Sequence, residues 1–378
     1  MKRILSFLFL LSFLTACAAP VESTPTPYPD TPAPPEINAP LVEAPALISI
    51  QFLNELDGWG VTEAQIVRTN DGGITWYNVT PTELTGAGYS VDIFVLDNDH
   101  VWMKLADSDN FPNSGSLYRT TDAGLTWTSN KAPFSRGDLN FLDANNGWVM
   151  SVLGVGAGSS GVSVYQTSDA GVTWNQTYTN DPNLADAGDS LPLGGLKSGL
   201  TALNMQTAWV YGLTYAPGTV YLYRTEDGGA NWREQSLPLP QGVENAELSV
   251  EKIKFIAPDF GFLTMRITSD NINLAVYISD DSGKTWSLTP TLIPGAGSAD
   301  FLSANEAVIY NGSQFYVTRD AARTWSIIPP DVLFDESFAG MDFVNALSGW
   351  VITVDPTTNE RRLYRTSDGG ATWFPVIP

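Results

Sequence analysis

One histidine and one cysteine stand among 378 residues. His100 lies in the short polar run Asn98-Asp99-His100, and Cys17 lies at the end of the N-terminal apolar run. Ser-His-Asp catalysis, a thiol nucleophile and a His-rich metal site each need more than this. Carboxylates are what remain. Asp107, Asp109, Asp181, Asp186, Asp189, Asp335 and Glu336 fall in polar segments between hydrophobic runs. Two carboxyl groups about 5 to 10 Å apart suffice for glycoside hydrolysis, and oxygen ligands of this kind suit Ca2+. Neither Asp107-Ser-Asp109 nor Asp181, Asp186 and Asp189 follows the EF-hand spacing. With 41 acidic residues, pairs arise from composition alone, and solvated loop acids are the plainer reading. The expectation is a chain with no catalytic residue, no metal, no cofactor and no hydrolase activity.

A different aspartate recurs with a fixed setting. Leu363-Tyr-Arg-Thr-Ser-Asp-Gly-Gly-Ala-Thr-Trp373 has counterparts around Asp71, Asp122, Asp169, Asp227, Asp281, Asp320 and, in this copy, Asp368. This is an Asp-box: two strands joined by a tight turn, with the carboxylate accepting N–H groups of that turn. The Gly two residues on permits a left-handed backbone. Ala322 replaces it in the sixth copy, which is the weakest. The Trp that closes each box offers an apolar face to the next repeat.

Upstream of each box lies a second signal. Phe141-Leu-Asp-Ala-Asn-Asn-Gly-Trp-Val149 and Phe343-Val-Asn-Ala-Leu-Ser-Gly-Trp-Val351 are the clearest copies. Each unit therefore reads as strand A, tight turn, strand B, loop, strand C, Asp-box turn, strand D. Repeating it seven times predicts an all-β, seven-bladed β-propeller of four-stranded Asp-box repeats over residues 46–378. All twelve Trp belong to this frame: Trp59, Trp102, Trp148, Trp209 and Trp350 open strand B, and the other seven close the boxes. None is left to stack on a sugar. Tyr89, Phe111, Phe134, Tyr178 and Tyr215 could still do so.

Strand order puts the A–B turns and the Asp-boxes on one face. The B–C loops and D-to-A connections share the other, and they include the long segments 106–116, 153–163, 179–199, 238–249 and 331–340. Specificity is expected on that loop face. The first repeat starts with a strand A and the seventh ends with a strand D, so the ring is expected to close by packing rather than strand exchange.

Residues 1–16 read as a secretion signal, with Lys2 and Arg3 before an apolar run too short to span a membrane comfortably. Leu14-Thr-Ala-Cys17 resembles a bacterial lipobox, which implies acylation of Cys17 and an extracytoplasmic, membrane-anchored lipoprotein. Residues 17–45 are rich in Pro and Thr, a composition expected of a disordered tether. The net charge is −22. A field of that sign repels phosphate backbones and disfavours nucleic acid as a partner.

Arg68, Arg119, Arg224 and Arg365 each precede a box Asp by three residues, while Gln166, Ile278 and Val317 hold that place in the other copies. They read either as residues stacked on a neighbouring Trp or as an arc that docks a partner. The full unit, Phe…Gly-Trp followed by Tyr-Arg-Thr-x-Asp-Gly-Gly-x-Thr-Trp, resembles the photosystem II assembly and stability factor family over residues 46–378. That resemblance implies a non-catalytic, monomeric scaffold that binds a membrane-associated protein, and it points to the same four arginines. Asp-boxes also occur in sialidases, and a glycan-binding or glycoside-hydrolysing propeller is the alternative. The sialidase form needs an arginine cluster that these residues do not supply, since only Arg136, Arg266, Arg361 and Arg362 lie near the loop face.

Overall fold

The computed structural model describes residues 37–84, 91–106 and 114–377. All of the named elements there are strands, apart from one 3-10 turn at Asp335–Ser337. No helix among the described residues is long and apolar enough to cross a membrane. The signal segment, Cys17, most of the tether, and Tyr89, Asp107, Asp109 and Phe111 lie outside the described residues.

Each repeat folds as an antiparallel A-B-C-D meander. The second repeat runs Val91–Val95, Val101–Ala106, Gly115–Thr120 and Thr128–Ala132, and the third runs Leu139–Phe141, Gly147–Gly156, Ser159–Thr167 and Asn175–Thr179. Five sheets hold one repeat each, and the first of these gains a fifth strand, Leu41–Val42, beyond its own D strand. The fourth and fifth repeats share one eight-stranded sheet. The fifth A strand, Glu247–Phe255, begins early, and its Leu248 and Ser249 pair with Thr214 and Leu213 at the end of the fourth B strand. Separate four-stranded sheets for all the repeats are therefore not what forms. The coarser expectation stands: this is an all-β propeller.

The Asp-box turn is a closed hydrogen-bond unit. In the second copy Asp122 Oδ1 accepts Thr126 N–H (2.8 Å) and the Thr120 hydroxyl (2.8 Å), while Oδ2 accepts the Thr126 hydroxyl (2.6 Å). Thr120 Oγ1 in turn accepts Gly124 N–H at 2.9 Å. Desolvation works against ionisation of Asp122, but these bonds outweigh it and hold the carboxyl below its ordinary range. The same arrangement recurs at the other boxes, with Asn231 replacing the outgoing Thr in the fourth and Ser279 replacing the incoming one in the fifth. The hydroxyl two residues before the Asp is thus as integral as the Asp itself.

Two consecutive residues in each box are left-handed. In the third copy they are Ala170 (φ 64°) and Gly171 (φ 87°). A Cβ on Gly171 would sit 2.3 Å from Leu117 Cδ2. The sixth copy carries Ala322 at that position with φ 60° and no exposed surface, so strain there is tolerated at a site shaped for a methyl group. Gly171→Ala is expected to lower stability by about 2 kcal/mol, from left-handed strain together with repacking around Leu117. A denaturant midpoint unchanged from wild type would contradict this.

The tryptophans join repeats in one direction. Trp102 of the second repeat donates Nε1–H to Ala170 O in the third box (2.9 Å), and Trp350 of the seventh donates to Gly72 O in the first (3.0 Å). The strand-B residue therefore reaches forward to the next box. The box tryptophans pack backward, contrary to expectation: Trp76 clusters with Trp350 and Leu363, and Trp232 clusters with Trp148.

Around the axis, a side chain bridges each junction to the backbone of the following repeat. Gln51 donates to Val95 O (3.1 Å), and Lys104 donates to Gly137 O. Asn140 accepts Ala202 N–H (3.2 Å), and Thr201 donates to Ile253 O (2.9 Å). Lys252 donates to Ala299 O (2.6 Å), and Asp300 accepts Phe343 N–H (3.0 Å). Asp342 accepts Phe52 N–H and closes the circle. Among the described residues no strand crosses that last seam, as expected; Phe52 instead stacks on Trp350 with ring centroids 3.6 Å apart and planes 3° apart.

Candidate functional site

Two places on this frame gather side chains beyond what a repeat needs. The first is on the loop face of the third and fourth repeats. The strand-B segment Gly147–Gly156 has ten residues and, with Ser159–Thr167, makes a hairpin that projects from that face. The connection after Asn175–Thr179 folds against it, and Gly195 N–H donates to Gly158 O at 2.9 Å.

Buried polar side chains hold that connection. Asn180 accepts Val162 N–H (2.7 Å) and donates to Leu191 O (3.0 Å). The Tyr178 hydroxyl accepts Leu191 N–H (2.8 Å), and the Tyr221 hydroxyl donates to Pro192 O (3.2 Å). Lys197 Nζ donates to four successive carbonyls: Pro192 (2.6 Å), Leu193 (2.8 Å), Gly194 (3.4 Å) and Gly195 (3.1 Å). Lys197 is only 5% exposed, and burial pulls its ammonium down to about 8. The result is a rigid loop built around one enclosed cation.

Between the hairpin and this loop lies a cleft of about 440 Å³, lined by Leu153, Gly154, Gly156, Ser159, Gly161, Asp181, Pro182, Asn183 and Leu193. Asp181 Oδ1 accepts both the N–H and the side-chain amide of Asn183 (2.9 Å each). Tyr215 rests against the hairpin turn at Gly158 and is 60% exposed. Val155 and Leu184 are also exposed beside it.

The second place is the axial channel. Its inner strands carry Asp92, Asp138, Lys252, Lys254, Asp300 and Asp342, with Lys104 from a neighbouring strand 3.0 Å from Asp92. Enclosure pushes the Asp138 and Asp300 carboxyls up, while Asp342, enclosed and facing Asp300, is pushed up to about 8. Desolvation within the ring and the neighbouring Lys252 move Lys254 down, although its side chain remains open to solvent. A carboxyl that keeps its proton near neutrality is the state a general acid needs. Asp300 and Asp342 each already accept a backbone N–H of the next repeat, so ring closure is their evident work.

Apart from Asp181, Tyr178 and Tyr215, the residues singled out from the sequence fall elsewhere. His100 bonds within its own turn, its Nδ1 lying 2.9 Å from Asp97 Oδ1. Asp335 and Glu336 form the 3-10 turn. Asp181 lines the loop-face cleft; no group of three or more His, Cys, Asp or Glu converges among the described residues. The four arginines are placed by strand register: Arg68, Arg119, Arg224 and Arg365 stand directly across from Trp59, Trp102, Trp209 and Trp350. Three guanidinium carbons lie 6.0, 5.4 and 5.2 Å from the ring centroids of Trp59, Trp209 and Trp350. Where strand B carries Phe262 or Val308, the facing residue is Ile278 or Val317. In the third repeat Trp148 faces Gln166, so a Trp is met by Arg or Gln and an aliphatic residue appears only where the Trp is lost. The axial ionic groups and Lys197 went unnoticed in the sequence.

The BNR/Asp-box repeat model matches residues 277–288, the strand C and turn of the fifth repeat. The chain is thus an all-β propeller that carries a BNR/Asp-box repeat. A xyloglucanase of Hypocrea jecorina (strain QM6a) is 24% identical over 357 residues, a span covering 82% of this chain and 36% of the relative. The chain thus spans about a third of the curated relative's length. Among solved structures, the GH74 xyloglucanase from Xanthomonas campestris has a TM-score of 0.57 at 14% identity, covering 88% of this chain and 54% of that one. YCF48 bound to D1 peptide has a TM-score of 0.52 at 17% identity, covering 86% and 95%. At these identities the structural likenesses speak for the fold alone. The expectation of a chain without hydrolase activity does not stand, because the relative matched over most of the chain is itself a glycan hydrolase.

Proposed function

We propose that this chain is a seven-bladed, extracytoplasmic propeller, tethered through acylated Cys17, that takes a polysaccharide on its loop face. The blade count treats the eight-stranded sheet as two blades, each with its own Asp-box and its own axial bridge. The observation that carries the ligand class is the likeness to a xyloglucanase along 82% of the chain. The geometry supports the place. At the cleft of the third and fourth repeats a hairpin and a loop are clamped by a set of buried polar groups, which is how a rigid scaffold presents a binding surface. The test is retention of the full chain on a panel of immobilised polysaccharides, with reducing ends assayed in the same samples. Retention on at least one, competed by the soluble polymer, is expected. No retention on any would overturn the reading. For the tether, Cys17→Ala should release the protein from the membrane fraction, and unchanged fractionation would contradict it.

A second reading, capture of a protein segment, is favoured by the likeness to YCF48 bound to D1 peptide, which spans 95% of that chain. It assigns docking to Arg68, Arg119, Arg224 and Arg365. The seats of Arg68, Arg224 and Arg365 over tryptophans favour packing, worth about 1 kcal/mol each. Changing all four to Gln should lower the melting temperature and leave polysaccharide retention intact. Loss of a crosslinked protein partner at unchanged melting temperature would favour the second reading instead.

A further inference from the structure

We infer that the cleft between the 147–167 hairpin and the 180–195 loop takes an uncharged sugar chain, with Tyr215 as its stacking platform; this rests on the polysaccharide reading above. Its volume of about 440 Å³ is in the range of formed ligand pockets. The hairpin side is nearly bare backbone, with Gly154, Gly156 and Gly161 and only Ser159 adding a side chain. Such a wall lets a flat ring approach the main chain closely. Asp181 supplies a carboxylate whose Oδ1 is fixed by Asn183, a suitable acceptor for sugar hydroxyls. Tyr215 stands outside the lining itself, at the hairpin turn next to the lining Ser159, where a Cβ on Gly158 would lie 2.9 Å from its Cδ2; it is 60% exposed, which leaves its ring open for stacking.

The charge pattern selects among sugars. No cleft-lining residue is basic. Lys197, under the loop that forms the other wall, is buried with its ammonium held by four carbonyls, so it has no donor to offer a uronate or a sulfate. Asp181 and a net charge of −22 repel acidic polymers further.

The experiment is isothermal titration of the full chain with xyloglucan oligosaccharides and, as the charged counterpart, oligogalacturonides. Wild type should bind the neutral set and not the acidic one. Tyr215→Ala should weaken binding by about tenfold or more, whereas Tyr215→Phe should retain it. Asp181→Asn should weaken neutral binding without changing the melting temperature. Equal affinity for oligogalacturonides, or full affinity in Tyr215→Ala, would overturn this assignment while leaving the polysaccharide reading in place. Absence of binding by wild type to either set, together with no retention on any immobilised polysaccharide, would overturn both.

Discussion

Replacing Trp350 with alanine should lower stability by about 3 to 5 kcal/mol. Trp350 has no exposed surface, stacks on Phe52 and donates to Gly72 O. Those contacts cross the seam between the last repeat and the first, where no strand is shared. The other bonds across it also come from side chains: Asp342 accepts Phe52 N–H, Ser348 and Asn345 donate to Glu55, and Arg361 donates to Leu47 O. Removing the indole leaves a cavity where the ring has no backbone ladder to fall back on. Trp127 makes the instructive comparison. It is only partly buried, and it bonds Val79 O away from the seam, so Trp127→Ala should cost less. Hydrogen exchange should then show the first and seventh repeats opening together in Trp350→Ala. Equal losses in the two variants would contradict closure by packing.

Asp342→Asn should stabilise the protein at pH 8 and have little effect near pH 4. Burial, with Asp300 beside it, raises the Asp342 carboxyl to about 8. An acid whose folded value is raised binds its proton more firmly in the folded chain than in the unfolded one. Its contribution to stability therefore falls as pH rises from about 4, the unfolded value, to about 8, and is fully lost above that. Each unit of displacement corresponds to about 1.4 kcal/mol, so the penalty removed at pH 8 is on the order of a few kcal/mol. The amide keeps an oxygen to accept Phe52 N–H. The box aspartates run the other way. Asp122, Asp169, Asp227, Asp281 and Asp368 are held below the ordinary carboxylate range, so their contribution is lost as pH falls through the folded values. Melting curves of wild type and Asp342→Asn between pH 4 and 8 check this. A gap that does not widen with pH would contradict it.

Much of the frame is legible in the chain because its signals are local. The Asp, the left-handed Gly and the outgoing Thr lie within five residues, and the turn they make depends on little else. The hydroxyl of Thr120 and its counterparts is just as local, and the Thr or Ser that recurs two residues before each box Asp would have revealed it. The direction of Trp packing and the axial circuit are different. Asp342 meets Phe52 across 290 positions, and only closure of the ring brings strand A of each repeat to one axis. A signal was nonetheless present. A polar residue directly precedes the strand-A aromatic at Gln51, Asn140, Lys254, Asp300 and Asp342, which on a strand points it to the opposite face. The long segments 153–163 and 179–199 stood out as loop-face candidates, and they form the cleft. Lys197 did not, since a lone lysine reads as a surface residue until the carbonyls of residues 192–195 are seen around it.

The central claim is that a polysaccharide lies on the loop face at the third and fourth repeats. Hydrogen-exchange mass spectrometry of the full chain, with and without xyloglucan, tests it most directly. Protection over residues 147–167 and 180–199, with the seven Asp-box turns unchanged, is the predicted result. Protection confined to the Asp-box face, or no protection anywhere at saturating polymer, would contradict it.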